Sequence, residues 1–190
     1  MTHILFVLCL SYQLDPAVQK EVIGALARLE QFQVDFKQET YSDFFDETLA
    51  AGSFAVARPG KMRMTYTEGE QVLRIWDGKT AYERDAMADS ESRLEQAEFV
   101  DEPIVRLLLY GGDIARLFLI DRLKGDEGDV FRLRPRDDDS YYVTVSFDKK
   151  WFPARIEVIG ADGEGTSFVF SNYILKPTFA PDTFIVPPGE

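Results

Sequence analysis

The segment "GSFAVARPGKMRMTY", residues 52–66, places two alternating apolar runs on either side of an Arg-Pro-Gly turn. Alternate side chains of an extended strand point to the same face. The hairpin therefore gathers one apolar set on a single face: Phe54, Val56, Met62, Met64 and Tyr66. By the same alternation, Arg58 lies on this apolar face at the end of the first strand.

This apolar face has two interpretations. It can pack against a helix as ordinary core, or it can line a cavity for acyl chains, a role that suits the flexible thioether of methionine. Arg58 also has two. Its stem can lie over apolar neighbours while the guanidinium reaches solvent, or it can sit at the rim of a cavity and donate hydrogen bonds to backbone carbonyls of a covering lid.

Most of the remaining chain has the same period of two and predicts strands. Turn signals such as "TEGE", "DGKT", "GDEGD", "RDDDS" and "ADGEG" separate the runs, with glycine supplying positive φ. The strand-like segments are "FQVDFKQETY" (32–41), "GSFAVARP" (52–59), "KMRMTYTEGEQVLRIWDGKTAYERD" (61–85), "SRLEQAEFV" (92–100), "DRLKGDEGDVFRLRPR" (121–136) and "SYYVTVSFDKKWFPARIEVIGADGEGTSFVFSNYILKP" (140–177). They predict one long antiparallel meander.

A helix precedes this meander in "DPAVQKEVIGALARLEQF", residues 15–32. Asp15 is placed to cap the helix, and Pro16 suits its first turn. Apolar residues recur at helical spacing and predict one buried stripe, made of Val18, Val22, Leu26 and Leu29.

A second helical segment, "DEPIVRLLLYGGDIARLFLI" (residues 101–120), interrupts the strands. Pro103 suits a helix start, Gly111 and Gly112 a helix end, and Asp113 a cap for a second helix. The first helix has a face of Ile104, Leu107 and Leu108, and the second one of Ile114, Leu117 and Phe118. Such an insert can cover the open side of a curved sheet as a lid, or pack there permanently as a structural helix.

Composition narrows the function. The chain has 190 residues, enough for one domain, and a net charge of −12, which argues against nucleic-acid binding. Its single histidine, His3, lies near the N-terminus, so Ser-His-Asp and Cys-His catalysis and most zinc sites are disfavoured. No phosphate-binding or dinucleotide-binding glycine motif occurs. We therefore expect a protein that is not an enzyme and has no catalytic residue, cofactor or metal, although counting carboxylates does not rule out a glycosidase-like pair.

The first 14 residues include the apolar run "ILFVLCLS", which resembles the apolar part of a secretory signal and is too short to span a bilayer. A positively charged start and a small-residue cleavage site are missing. We interpret residues 1–14 as a signal-peptide remnant, with an N-terminal strand as the alternative, and residues 15–190 as one domain.

Residues 16–190 resemble the periplasmic outer-membrane lipoprotein carrier family, LolA. "FQVDFKQE" is similar to the family's F-x-x-x-F-x-Q strand, and "GSFAVARPGKMRM" to its segment around Arg-Pro. "WDGKTAYERD" resembles a family hairpin, "EPIVRLLL" a family helix, and "FIVPPGE" the family's ending. The motifs occur in family order along nearly the whole chain.

The resemblance implies a mainly β (α+β) fold, in which a strongly curved antiparallel sheet forms an incomplete β-barrel with an N-terminal helix and a central helical lid. It implies a cavity for lipoprotein acyl chains, which Phe36, Phe54, Val56, Met62, Met64 and Tyr66 would line. Ile104, Leu107 and Leu108 would form the lid face, and Arg58 would be the latch of the lid. Met64 stands where many members have tryptophan, so the cavity's shape is left open.

The implied partners are lipoproteins, an inner-membrane ABC transporter that loads the carrier, and an outer-membrane lipoprotein receptor that unloads it. We expect a periplasmic monomer that is not an integral membrane protein. Since the fold also hosts other functions, an envelope-stress regulator, a carrier of another lipid or glycolipid, and a lipid-modifying enzyme stay as alternatives, the last disfavoured by the histidine count.

Overall fold

Over the residues that the structure describes, the fold is one antiparallel sheet of eleven strands with three helices. A computed structural model describes residues 15–42, 48–96, 103–111, 113–125 and 128–188. The helices are α1 (Pro16–Ala27), α2 (Pro103–Tyr110) and α3 (Ile114–Leu117). The strands are β1 (Gln31–Tyr41), β2 (Thr48–Ala57), β3 (Lys61–Glu68), β4 (Val72–Asp77), β5 (Thr80–Asp85), β6 (Ser90–Glu95), β7 (Phe118–Gly125), β8 (Gly128–Pro135), β9 (Tyr141–Phe147), β10 (Pro153–Gly160) and β11 (Gly165–Leu175).

The strand order is β6-β5-β4-β3-β2-β1-β11-β10-β9-β8-β7. Two meanders therefore meet where β1 pairs with β11, and within each meander sequence neighbours are sheet neighbours. The edge strands β6 and β7 do not pair with each other, so the sheet is not closed, and the predicted incomplete barrel is confirmed. The chain passes from one edge to the other through the segment that contains α2 and α3.

Alternation in β1 fixes which face of the sheet becomes the core. Phe32, Val34 and Phe36 are buried, while the residues between them are partly exposed. Phe36 lies opposite Gly52 of β2, where a Cβ atom would come within 2.8 Å of the Phe36 ring. Glycine at this point leaves room for the Phe36 ring. We call this side of the sheet the core face.

Helix α1 begins as predicted, with the Asp15 carboxylate accepting a hydrogen bond from the Ala17 N–H at 2.8 Å. It packs on β7 and α3, and Val18, Val22 and Leu26 are buried. The helix ends at Ala27, two residues earlier than the predicted stripe. Leu29 is still fully buried, but it lies in the turn that leads into β1.

The second helical segment differs from its prediction. Helix α2 has the predicted bounds, but α3 covers only four residues, and Phe118 begins β7 instead of ending a helix. Phe118 and Ile120 are both fully buried at strand spacing, and Phe118 pairs with Pro135 of β8. Ladder hydrogen bonds and burial thus favour the strand. Asp113 stands at the N-cap position of α3, as predicted, but its side chain makes no capping hydrogen bond.

Strand β6 is shorter than the segment predicted for it. It ends at Glu95, and the rest of that segment lies largely outside the described residues. The possible signal remnant, residues 1–14, also lies outside them. Within the described ranges, none of the helices has the length and apolar character needed to cross a bilayer.

Candidate functional site

The apolar residues predicted to line a cavity come together on the core face. Five of them are at most 2% exposed and belong to one apolar cluster that also contains side chains of α1 and α2. They are Phe36, Phe54, Val56, Met62 and Met64. In this closed arrangement the face is packed against helices and is not open to solvent.

Phe36 lies at the centre of an aromatic group on this face. Its ring centroid is 4.7 Å from that of Phe54, 5.3 Å from Tyr66 and 5.7 Å from Phe168. Phe170 lies 6.2 Å from Phe54. Sequence reasoning missed the two β11 residues as site residues. The alternation in "TSFVFS" predicts their shared face, but the pairing of β11 with β1 is not visible in the sequence.

Tyr66, the sixth predicted residue, lies at the edge of the apolar interior. It is partly buried, and its hydroxyl donates to Gln38 Oε1 at 2.6 Å. We call the end of the sheet where β1, β3 and β10 end the mouth. Here Tyr66 lines a pocket of about 240 Å³ with Met64 and Phe168 of the core face and Ile104 of α2. We call this space the mouth pocket.

Helix α2 lies across the core face with its N-terminus at the mouth. Pro103 lines both the mouth pocket and a neighbouring groove of about 660 Å³. The predicted lid residues Ile104, Leu107 and Leu108 are at most 5% exposed and belong to the apolar cluster. The structure thus brings the predicted lid face against the predicted cavity residues.

Arg58 lies at the end of the core face opposite the mouth, between α1 and α2. Its Nε donates to the Leu108 carbonyl at 2.7 Å and its Nη2 to the Leu107 carbonyl at 3.3 Å. Its Nη1 donates to the Leu26 carbonyl at 2.5 Å. The carbonyls of a last helical turn lack intrahelical partners and carry the negative end of the helix dipole. One guanidinium thus joins the C-terminal turns of two helices.

Glycine at position 111 makes room for this arrangement. A Cβ atom there would collide with the guanidinium of Arg58. Burial lowers the pKa of Arg58 to about 10, and the negative charge of Glu30 opposes this shift. Arg58 therefore stays protonated at neutral pH. Its guanidinium lies against backbone carbonyls rather than in solvent.

The contact of Arg58 with α1 was not predicted, because a backbone carbonyl leaves no signal in a sequence.

Sequence reasoning also missed an ion pair at the mouth. The Nε of Arg74 lies 2.5 Å from Glu83 Oε2, and Arg74 lines the mouth pocket. Arg74 is cross-strand neighbour to Met64, so the pair occupies the same face as the apolar cluster, nearer the mouth.

Solved structures share this fold. A LolA superfamily protein from Nitrosomonas europaea matches with a TM-score of 0.56 and 14% identity, over 89% of this chain and 97% of that chain. MucB matches with a TM-score of 0.53 and 16% identity, over 91% of this chain and 64% of MucB. At these identities the likeness concerns the fold alone.

Proteins related in sequence show the family to which the chain belongs. An outer-membrane lipoprotein carrier protein of Nitrosomonas europaea is 29% identical over 201 residues, covering 100% of this chain and 97% of the relative. The protein of the same name from Vibrio parahaemolyticus is 30% identical over 174 residues, which cover 89% of this chain and 82% of the relative. The family model described as outer membrane lipoprotein carrier protein LolA matches residues 27–186. The chain therefore belongs to the LolA family of outer membrane lipoprotein carrier proteins.

Proposed function

We propose that this protein carries lipoproteins across the periplasm, with their acyl chains held in the apolar interior beneath α2. Family membership supports this role, and so do the relatives named as lipoprotein carriers. The observation that carries the proposal is the construction of the interior: an apolar, aromatic-rich face covered by a short helix whose C-terminal turn is held by one arginine.

In this proposal α2 is a lid. Loading moves α2 away from the core face, and acyl chains take the place of the side chains of Ile104, Leu107 and Leu108. Burying an acyl chain is worth about 0.8 kcal/mol per methylene group. Part of that gain is offset because α2 loses its own apolar contacts. The balance makes loading reversible, so that cargo can be passed on without a covalent step.

Arg58 is the proposed latch of this lid. A hydrogen bond to a charged group contributes about 1.5–3 kcal/mol, and two of the three bonds of Arg58 go to α2. These bonds exist only while the lid is closed. They therefore favour the empty, closed protein and oppose retention of cargo. A latch of this kind assists release at the receiving membrane.

The proposed route begins at an inner-membrane ABC transporter and ends at an outer-membrane lipoprotein receptor. The carrier acts as a monomer in the periplasm and needs no cofactor. Its net charge of −12 keeps it soluble while it transports an apolar cargo.

Mass spectrometry of molecules that co-purify with the protein from a Gram-negative periplasm tests this function. We expect acylated lipoproteins bound one to one, and we expect them to be lost when the acyl chains are removed enzymatically. Co-purification of free lipids or glycolipids alone would contradict the lipoprotein role and favour a carrier of another lipid.

A further inference from the structure

The mouth pocket lies where the core face changes from apolar to polar. Its inner wall consists of Met64, Phe168 and Ile104. Its outer wall consists of polar residues from four strands and connections: Gln38, Tyr66, Glu70, Arg74 and Thr166. A ligand whose acyl chains extend inward past Met64 must therefore place its head group among these polar side chains. This reasoning rests on the proposed function.

The charges in the mouth pocket do not favour an anion. Arg74 is paired with Glu83 at 2.5 Å, and the two side chains are only 23% and 29% exposed. Glu70 lines the same pocket and is partly buried. The pocket and the ion pair beside it thus hold one guanidinium and two carboxylates, those of Glu70 and Glu83, so the local formal charge is negative. Because the pair is half-buried, salt screens it less than an exposed pair.

The adjoining groove extends this negative potential. It shares the lining residues Pro103, Val158 and Thr166 with the mouth pocket, so the two spaces are adjacent. Among the described residues, the groove is lined by the carboxylates of Asp138 and Asp162 and also by Glu164, but by no lysine or arginine. The guanidinium of Arg106 lies beside the groove, where it donates to the Tyr141 hydroxyl and is paired with Asp137, so the carboxylates that line the groove still outnumber the nearby cation.

Hydrogen-bond donors for an uncharged head group are present in the pocket. The Gln38 amide nitrogen donates to Thr40 Oγ1 only at 3.4 Å, so it can turn toward a stronger acceptor. Thr166 adds a hydroxyl group. Ester and amide carbonyls accept such bonds without adding charge. A phosphate or carboxylate would bring a negative charge close to Glu70 and Glu83, in surroundings where charges are incompletely solvated.

We propose that the mouth pocket is a head-group subsite that accepts the uncharged ester and amide groups of an acylated ligand and rejects anionic lipids. Phospholipids and free fatty acids share acyl chains with lipoproteins, so the apolar interior alone cannot distinguish them. The carboxylates at the mouth repel anionic head groups and so distinguish phospholipids and fatty acids from acylated ligands with uncharged ester and amide groups. The subsite makes the carrier selective in a compartment bounded by phospholipid membranes.

Fluorescence titration of the full chain with two lipids tests this subsite. The probes are a diacylglycerol and a phosphatidylglycerol that carry the same pyrene-labelled acyl chains. We expect the diacylglycerol to bind more tightly at low ionic strength, and the difference to shrink as salt is added. The double variant Glu70→Gln with Glu83→Gln should reduce the preference roughly five- to tenfold, because it removes both carboxylates.

Two further variants control this experiment. Glu91→Gln makes the same kind of change at an exposed ion pair on β6, outside the mouth pocket, and should leave the preference unchanged. Arg74→Gln removes only the cation and should increase the preference for diacylglycerol. Circular dichroism melts identify any variant that is not folded.

The outcomes separate this inference from the function on which it rests. If wild type binds both lipids equally, or if the carboxylate variants keep the wild-type preference, the head-group subsite is refuted while acyl binding stands. If wild type binds neither lipid, acyl binding itself is contradicted, and the subsite with it.

Discussion

Arg58 shows how much one side chain contributes to the closed form. Its guanidinium is partly removed from water and donates hydrogen bonds to three backbone carbonyls. Deleting it leaves these carbonyls without a charged donor beside a buried core. A buried group that loses its hydrogen-bond partner costs about 1–3 kcal/mol. The position of α2 therefore depends on Arg58 as well as on its buried apolar side chains.

Gly111→Ala tests this dependence without altering Arg58 itself. The new Cβ would occupy the space of the guanidinium, so Arg58 must leave the carbonyls. We expect the free energy of unfolding to fall by about 1–3 kcal/mol. We also expect binding of an apolar fluorescent dye to increase, because α2 opens more often. Chemical denaturation and dye titration measure the two effects.

Gly24→Ala is the matched control, since it adds the same methyl group to a helix. Apart from the backbone of its own helix and its two chain neighbours, no atom lies within 4 Å of the added Cβ. Alanine in place of a helical glycine should raise the free energy of unfolding by roughly 0.5–1 kcal/mol. Dye binding should not change. If the two glycine variants had the same free energy of unfolding and the same dye binding, the space beside Arg58 would not contribute to the stability of the closed form.

At the residue scale, the sequence predicts on which face of a strand a side chain lies, but not which backbone groups it contacts. Strand alternation correctly placed Arg58 on the same face as Phe54 and Val56. The three carbonyl partners could not be assigned, because they depend on where α1 and α2 end in space. Gly111 illustrates the same limit. Its sequence context indicates only a helix end, whereas its contact with Arg58 depends on the fold.

Helix α2 is too short to be stable by itself. It has eight residues, and isolated helices of fewer than about 12 residues are marginal in water. Its five buried apolar residues and the hydrogen bonds from Arg58 must therefore hold it in place. An element stabilised in this way can separate from the sheet without unfolding the sheet.

Leu108→Ala distinguishes a lid from a permanently packed helix. Leu108 is fully buried, and its truncation should cost about 2–5 kcal/mol if the contact is purely structural. If α2 is a lid, part of this cost appears as local opening. Hydrogen exchange of the α2 amides should then accelerate well below the denaturation midpoint, and dye binding should increase.

Leu133→Ala on β8 provides the comparison, since Leu133 is equally buried but belongs to the sheet. It should lower global stability by a similar amount and leave the exchange of α2 relative to the sheet unchanged. If both variants affected α2 exchange only through global unfolding, α2 would be a structural helix and not a lid.

At the element scale, the meander could be predicted because its turns and alternation are local. The junction between β1 and β11 could not, because it joins segments more than a hundred residues apart. The error at α3 has a similar origin. Helical spacing is present at Ile114, Leu117 and Phe118. Phe118 nevertheless forms part of a strand, because it pairs with Pro135 of β8. Sheet pairing of this kind overrides local spacing and is not encoded locally.

For the whole molecule, bound cargo should stabilise the fold. If acyl chains bind only the folded protein, as proposed, they raise its stability by about 2.7 kcal/mol when free ligand is at 100 times its dissociation constant. Calorimetry of lipoprotein-loaded and delipidated samples measures this difference. A loaded protein that melts at the same temperature as the delipidated one would show that cargo is not held in the folded interior.

The open sheet provides the geometry for such binding. Edge strands β6 and β7 are unpaired with each other, and the helices that join them lie over the core face. In the proposed function, movement of α2 exposes the interior while the strand ladder stays intact. In the proposed function cargo enters at the mouth, where polar side chains line the pocket, with its acyl chains directed toward the apolar cluster.

Transfer of a radiolabelled lipoprotein in a reconstituted system tests the account most directly. The system contains the inner-membrane transporter in proteoliposomes, the carrier, and the outer-membrane receptor. Arg58→Leu should accept lipoprotein from the transporter and then fail to pass it on, so that the loaded carrier accumulates at least tenfold over wild type. Arg63→Leu, which removes an arginine from the same hairpin without touching α2, should transfer normally. Normal hand-off by Arg58→Leu would contradict the latch, and failure of wild type to accept lipoprotein would contradict the carrier function itself.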